Sequence, residues 1–156
     1  MEKILVSACL LGQAVRYDGG DQGLSEPLLE RWLSEGRVVP LCPEIAGGLS
    51  VPRRPAEIVS EVPLRLLNDI GEDVTEAFTR GAETALELAQ QHGIHFALLK
   101  ESSPSCGPTW RYDGRFQRRK IPGQGVTARV LREHGIVVFN ETELEQLAAA
   151  INRLEC

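Results

Sequence analysis

Short apolar runs that alternate with helical repeats constrain this chain more than any other feature. The runs cover residues 3–8, 37–41, 95–100 and 136–139. The first is continuous rather than alternating, as in a strand covered on both faces. Helical spacing fills most of what lies between. Leu28, Leu29, Trp32 and Leu33 form one apolar face, with Ser25 as its candidate cap, Pro27 in the first turn and Gly36 as the stop. Val74, Phe78, Ala82, Ala85 and Ala89 form a second, after the capping-box pair Asp73 and Glu76 and before Gly93. Residues 126–134 form a third. Leu144, Leu147, Ala148, Ile151 and Leu154 form the last, behind a second box of Asn140 and Glu143. Strands alternating with helices imply right-handed crossovers and parallel pairing. The expected fold is α/β: one Rossmann-like three-layer domain over residues 1–156, with a short, mostly parallel sheet flanked by helices.

Two stretches resist this reading. Residues 43–72 are rich in proline and glycine with no sustained period, so a long loop is expected, with a short hairpin or helix within it left open. Residues 107–125 read as irregular and carry a basic cluster, Arg115, Arg118, Arg119 and Lys120.

Composition limits function. The chain has 17 basic and 22 acidic residues, a net charge of −5, which gives no overall basic footprint for a nucleic-acid duplex. Aromatic residues are 5%, too few for a base-stacking platform. No apolar run nears the ~20 residues that span a bilayer. The N-terminus lacks the long apolar core of a signal peptide. A cytoplasmic location with reduced thiols is therefore expected. In that setting cysteines are more often metal-binding, catalytic or buried than bridged.

The cysteines are Cys9, Cys42, Cys106 and Cys156, with no CxxC pair. Ligands of open α/β sheets sit beyond the carboxyl ends of the strands. Cys9, Cys42 and Cys106 each fall at or just after such an end, and Cys156 does not. Buried structural cysteines are the plain alternative. Yet Cys42-Pro-Glu-Ile-Ala-Gly-Gly and Ser103-Pro-Ser-Cys106-Gly-Pro are loop sequences, where proline and glycine fix turns and allow close backbone approach. Three thiolates suit zinc or an iron–sulfur cluster, and spacing alone does not separate the two. Either would keep one position open.

Proton-handling groups lie nearby. Glu44 follows Cys42; Ser102, Ser103 and Ser105 precede Cys106; and Lys100 and Glu101 flank the same strand end. A partly desolvated carboxylate can move protons near neutral pH, whereas an exposed carboxylate or helix cap does not. For the serines, turn hydrogen bonds are the default. Residues 16–19, Arg-Tyr-Asp-Gly, suit either a substrate contact or a turn with a surface ion pair. Arg53 and Arg54 read as solvated charges. His92, His95 and His134 receive no catalytic role. Gly123-Gln-Gly125 leads into a helix, where an anion or simply a close turn would fit. No phosphate-loop motif is present.

The motifs Ser7-Ala-Cys9-Leu-Leu-Gly12, Arg16-Tyr-Asp-Gly19, Cys42-Pro-Glu44, Gly47-Gly-Leu49, Pro52-Arg53 and Ser103-Pro-Ser-Cys106-Gly107 together resemble the thiouracil desulfidase family. The resemblance runs over essentially the whole chain. It implies a [4Fe–4S] cluster held by Cys9, Cys42 and Cys106, with Cys156 dispensable. It implies non-redox desulfuration of a small thiolated pyrimidine, such as 2-thiouracil to uracil and hydrosulfide. Glu44 takes the proton-transfer role and Ser103, rather than Ser102, the nucleophilic or orienting one. Direct nucleic-acid or membrane binding is not expected, and oligomeric state is not read. The rival readings are a sulfide-transfer or cysteine-desulfurating module linked to tRNA thiolation, a non-enzymatic cluster- or zinc-binding module, and an α/β domain with no metal.

Overall fold

The fold was analysed in a computed structural model that describes residues 1–13, 16–20, 23 and 26–155. Ser25 and Cys156 lie outside the described residues. The four apolar runs form one sheet: β1 (Ile4–Ser7), β2 (Val38–Leu41), β5 (Phe96–Leu98) and β8 (Val137–Phe139). Its order is β2-β1-β5-β8 and every pairing is parallel, as the sequence pattern requires.

Alternation along the strands decides which helix covers which face. Ile4 and Val6 of β1, with Phe96 and Leu98 of β5, point to one side. There they meet Leu29 and Trp32 of α1 (Pro27–Ser34) and Leu144, Leu147 and Ile151 of α5 (Leu144–Glu155). Leu5 and Ala97 point to the other side, against Ala85 and Ala89 of α3 (Thr75–Gln91) and Ala128 and Leu131 of α4 (Val126–Glu133). The result is three layers, helix on sheet on helix. Truncating a fully buried leucine such as Leu147 would cost roughly 2–5 kcal/mol.

The two stretches expected to be irregular are partly ordered. Residues 43–72 hold α2 (Pro43–Ala46) and an antiparallel hairpin, β3 (Ala56–Glu61) and β4 (Leu64–Asn68). A register shift between Ile58 and Ser60 breaks the alternation that would have marked the strand. Residues 107–125 hold a smaller hairpin, β6 (Trp110–Tyr112) and β7 (Lys120–Pro122), whose strands are too short to show a period.

Helix starts also differ in detail. No side-chain cap closes α1 at Glu26. The Asp73–Glu76 box does not form: α3 begins at Thr75, and Asp73 accepts the Thr75 N–H at 2.9 Å while also pairing with Arg65. The second box forms by half, with Glu143 accepting the Asn140 N–H at 2.9 Å. Among the described residues, no helix is long and apolar enough to cross a membrane.

The strand order fixes where a ligand can enter. The chain passes from β1 to β2 on one side, then crosses back to place β5 on the other. That reversal opens a crevice beyond the carboxyl ends of β1 and β5.

Candidate active site

The crevice contains a cavity of about 440 Å³, within the usual range for small-molecule sites. Cys9, Cys42 and Cys106 all line it. Each arrives by a different route. Cys9 sits in a 3₁₀ turn, Ala8–Leu11, directly after β1. Cys42 joins β2 to α2, where Pro43 begins the helix without needing an N–H. Cys106 lies on the segment after β5, which packs against the start of α4.

That packing depends on glycine. A Cβ at Gly125 would press on the Ser105 carbonyl and the Cys106 nitrogen at 2.6–2.9 Å. The Val126 N–H donates to the Pro104 carbonyl at 3.0 Å, and the Thr127 N–H to the Ser105 carbonyl at 2.8 Å. These bonds occupy the start of α4. The close-turn reading of Gly123–Gly125 therefore holds, and the anion reading does not.

The thiols are largely shielded from water, and each feels the charge of its neighbours. Burial pushes Cys9 up to about 11, helped by neighbouring Cys42. Burial likewise raises Cys42. Cys106 is pushed up to about 12, mainly by burial, although a hydrogen bond from Ser7 favours its thiolate and Ser105 Oγ lies 3.6 Å from its sulfur. The mutual influence of Cys9, Cys42 and Cys106 shows that the three face a common space.

Among the described residues, no three His, Cys, Asp or Glu side chains close on one metal ion. Thiolates that each take a separate iron of a cluster stand further apart than thiolates sharing one ion. Three soft donors around one cavity fit an iron–sulfur cluster with one uncommitted corner.

Glu44 and Ser103 reach the same cavity. Glu44 is neither an exposed loop carboxylate nor a side-chain cap. Its Oε1 accepts from Arg53 Nε at 3.0 Å, and its Oε2 from the Ser105 hydroxyl at 3.0 Å. Ser103 Oγ lies 3.0 Å from Ser105 Oγ. Ser102 also lines the cavity, in a left-handed conformation at φ 66°.

The sequence reading of Arg53 as a solvated charge is wrong. Its side chain is only 7% exposed and is committed to Glu44. No periodicity in residues 43–55 announces that contact, because it spans the short helix α2. Arg54 does behave as expected, half-exposed and 3.2 Å from Asp69. Residues 16–19 combine both readings offered for them. Arg16 and Tyr17 line the cavity, within a turn closed by Gly19 N–H on the Arg16 carbonyl at 2.9 Å. The three histidines do not line it.

Glu101, which with Lys100 flanks the strand end and reads in sequence as a further proton-handling candidate, has a structural role instead. Its Oε1 accepts the N–H groups of Ser102, Thr109 and Trp110, and its Oε2 the Asn140 amide. Burial alone would raise its pKa. The donors from Trp110, Thr109, Asn140 and Ser102 outweigh burial and hold it below the ordinary carboxylate value. Three donors from both ends of the 101–110 segment, with Asn140 as a fourth from outside it, thus hold the Cys106 loop closed.

Residues 4–143 match the family described as 2-thiouracil desulfurase. The chain belongs to the 2-thiouracil desulfurase family. It is also 40% identical over 151 residues to the uncharacterized protein YbbK of Bacillus subtilis (strain 168), covering 92% of this chain and 99% of that protein. A solved structure, that of the [4Fe-4S]-dependent thiouracil desulfidase TudS, superposes with a TM-score of 0.95. It is 51% identical, and the match covers 97% of this chain and 99% of TudS. The three-thiol cavity thus stands in a member of this family. A 2-thiouracil desulfurase family fold with its thiols gathered at the switch point is the setting for the chemistry.

Proposed function

We propose that this chain is a [4Fe–4S]-dependent desulfidase that converts the C=S group of a small thiolated pyrimidine, such as 2-thiouracil, to C=O with release of hydrosulfide. One observation carries this reading in a member of the family. Thiols from three separate strand ends line the cavity that also holds Glu44 and Ser103. Cys9, Cys42 and Cys106 would hold the cluster. When bound, it supplies an iron with an open position, a Lewis acid suited to a soft sulfur donor.

The protein's own residues supply the rest. Replacing sulfur by oxygen adds the elements of water and transfers no electrons. A proton must therefore leave the attacking oxygen and one must reach the departing sulfur. Glu44, screened from bulk water and ion-paired to Arg53, takes and returns that proton. Ser103 presents its hydroxyl as the nucleophile or as the group that orients the attacking oxygen. Arg16, Tyr17, Tyr112 and Phe116 line the same cavity and confine the flat base.

The cavity's size suits a free base better than a folded nucleic acid, so the substrate is a small molecule and the chain acts as one domain over residues 1–156. A reducing cytoplasm suits thiolate ligands and an air-sensitive cluster. The test is anaerobic reconstitution, counting of iron and acid-labile sulfide, and incubation with 2-thiouracil. Uracil and hydrosulfide in equal amounts are expected. Fully loaded protein that releases neither would sink the proposal.

A further inference from the structure

We propose that Ser105 is a positioning residue that relays the proton between Ser103 and Glu44. The proposal rests on the roles given above to Glu44 and Ser103, and it concerns how they are connected. The hydroxyl bonded to Glu44 belongs to Ser105, with Oγ 3.0 Å from Oε2. The same Oγ lies 3.0 Å from Ser103 Oγ.

A hydroxyl carries one proton, and that fixes the direction of the chain. An ionised carboxylate only accepts. The Ser105 proton therefore goes to Glu44, and Ser105 Oγ must accept from the Ser103 O–H. The competing acceptor for the Ser105 proton is Cys106 Sγ, further away at 3.6 Å, and Cys106 has a second donor in Ser7. Arg53 holds the other Glu44 oxygen, so Oε2 stays turned toward Ser105.

Ser103 Oγ also sits where an oxyanion would be welcome. It accepts the N–H groups of Ser105 at 3.2 Å and Cys106 at 3.1 Å. Fixed donors aimed at an atom that gains negative charge stabilise that charge without reorganisation. In the step itself, the Ser103 proton moves to Ser105 Oγ as the Ser105 proton moves to Glu44 Oε2. One O–H bond breaks at each serine, and new ones form at Ser105 and Glu44. Ser105 ends unchanged, Glu44 is neutral, and Ser103 carries the negative charge.

The fold makes Ser105 rigid enough for this. The residue is 1% exposed. Its carbonyl accepts from Thr127 and Ala128 at the start of α4, at 2.8 and 3.3 Å. A surface turn serine would have no such constraints.

The experiment compares Ser105→Ala and Ser105→Thr with Ser103→Ala and Glu44→Gln, all reconstituted anaerobically and assayed on 2-thiouracil. Iron and sulfide content, KM, kcat and a proton inventory in H₂O/D₂O mixtures are measured. Ser105→Ala is expected to load fully and keep its KM, while kcat falls about 10²-fold. Ser105→Thr, which keeps the hydroxyl, should recover most of that loss. The inventory should be curved for the unmodified enzyme, as two protons move together, and linear for Ser105→Ala. Unchanged kcat in Ser105→Ala overturns the relay but leaves the function standing if Ser103→Ala and Glu44→Gln are inactive. Loss of iron in both Ser105 variants assigns the residue to packing and also overturns it. Normal turnover in Ser103→Ala and Glu44→Gln would remove both the relay and the roles beneath it.

Discussion

Glu44 and Arg53 form an ion pair with little exposure to water, Nε to Oε1 at 3.0 Å, with side chains 14% and 7% exposed. Nine positions separate them, and Glu44 lies within α2. Arg53 also donates to the Ser50 carbonyl at 3.1 Å, so its planar fork ties Glu44 to the loop after α2. Removing it leaves a carboxylate partly buried without its countercharge. Breaking such a pair costs about 3 kcal/mol or somewhat more, and the cavity's wet side favours the low end. Arg53→Gln is therefore expected to lower the urea midpoint and to depress turnover. Arg53→Lys should rescue charge but not the fork geometry, and recover activity only in part. Urea titration and steady-state kinetics of the two variants check this.

Gly81 and Gly47 explain how α2 is held beside α3. A Cβ on Gly81 would run into the Pro43 carbonyl, and one on Gly47 into the Ala77 carbonyl. Both clashes are with backbone, which cannot swing aside as a long side chain would. Pro43 stands between Cys42 and Glu44, so any shift of α2 moves a candidate ligand and the candidate base together. Gly81→Ala is expected to destabilise by roughly 1–3 kcal/mol, as overpacking does, despite alanine's better helix propensity. It should also lower iron retention. Thermal unfolding and metal analysis of one variant test both effects, and normal iron content would disconnect them.

Much of the fold was legible because the central strands β1 and β5 are buried along their whole length and read as apolar runs, with β2 and β8 as shorter apolar runs at the sheet edges. Cys9, Cys42 and Cys106 were legible for a related reason: strand ends in a parallel sheet share one edge. The hairpins were not. A bulge at Ile58/Ser60 disrupts the period of β3, and β6 and β7 have three residues each. The chemistry of Arg53 was hidden because its burial depends on α2, and nothing local distinguishes a buried arginine from a solvated one. Ser105 stood among the nearby hydroxyls in sequence, but its place between Ser103 and Glu44 was hidden, because a turn serine and a serine between two site residues look alike there. The loop-holding role of Glu101 was not legible because its four partners come from three places in the chain.

The raised thiol values give opposite pH effects with and without metal. Cys9 and Cys106 bind their protons more tightly in the folded protein, at about 11 and 12, than at the unperturbed 9.0. The folded apo-protein thus holds more protons than the unfolded chain between those values. Its stability should be full below pH 9 and fall as pH rises beyond it. Ligation requires the thiolate, so cluster assembly releases protons and should become more favourable as pH rises. Chemical denaturation of the apo-protein against pH, beside iron uptake at pH 6.5 and 8.5 (rough choices on either side of neutrality), separates the two trends. Iron uptake that improves at the lower pH would contradict the assignment of protonated thiols as ligands.

Glu101 offers a test of how the Cys106 loop is maintained. Its carboxylate accepts Thr109 N–H at 2.9 Å and Trp110 N–H at 2.8 Å, and Asn140 Nδ2 at 2.8 Å. The folded pKa lies below the ordinary glutamate value, because these donors outweigh the cost of burial. The resulting stabilisation is present above the unfolded value and is lost as pH falls through the lowered folded value. Acid should therefore loosen this segment as Glu101 is protonated. Glu101→Gln keeps an acceptor but loses the charge, so it should mimic the acid form at neutral pH. Hydrogen exchange at the Thr109 and Trp110 amides is the readout. Both should exchange faster in Glu101→Gln than in the unmodified protein, while amides in β1 at the sheet centre stay protected. Equal protection at Thr109 and Trp110 in the two proteins would mean that the backbone turn, not the carboxylate, holds the loop.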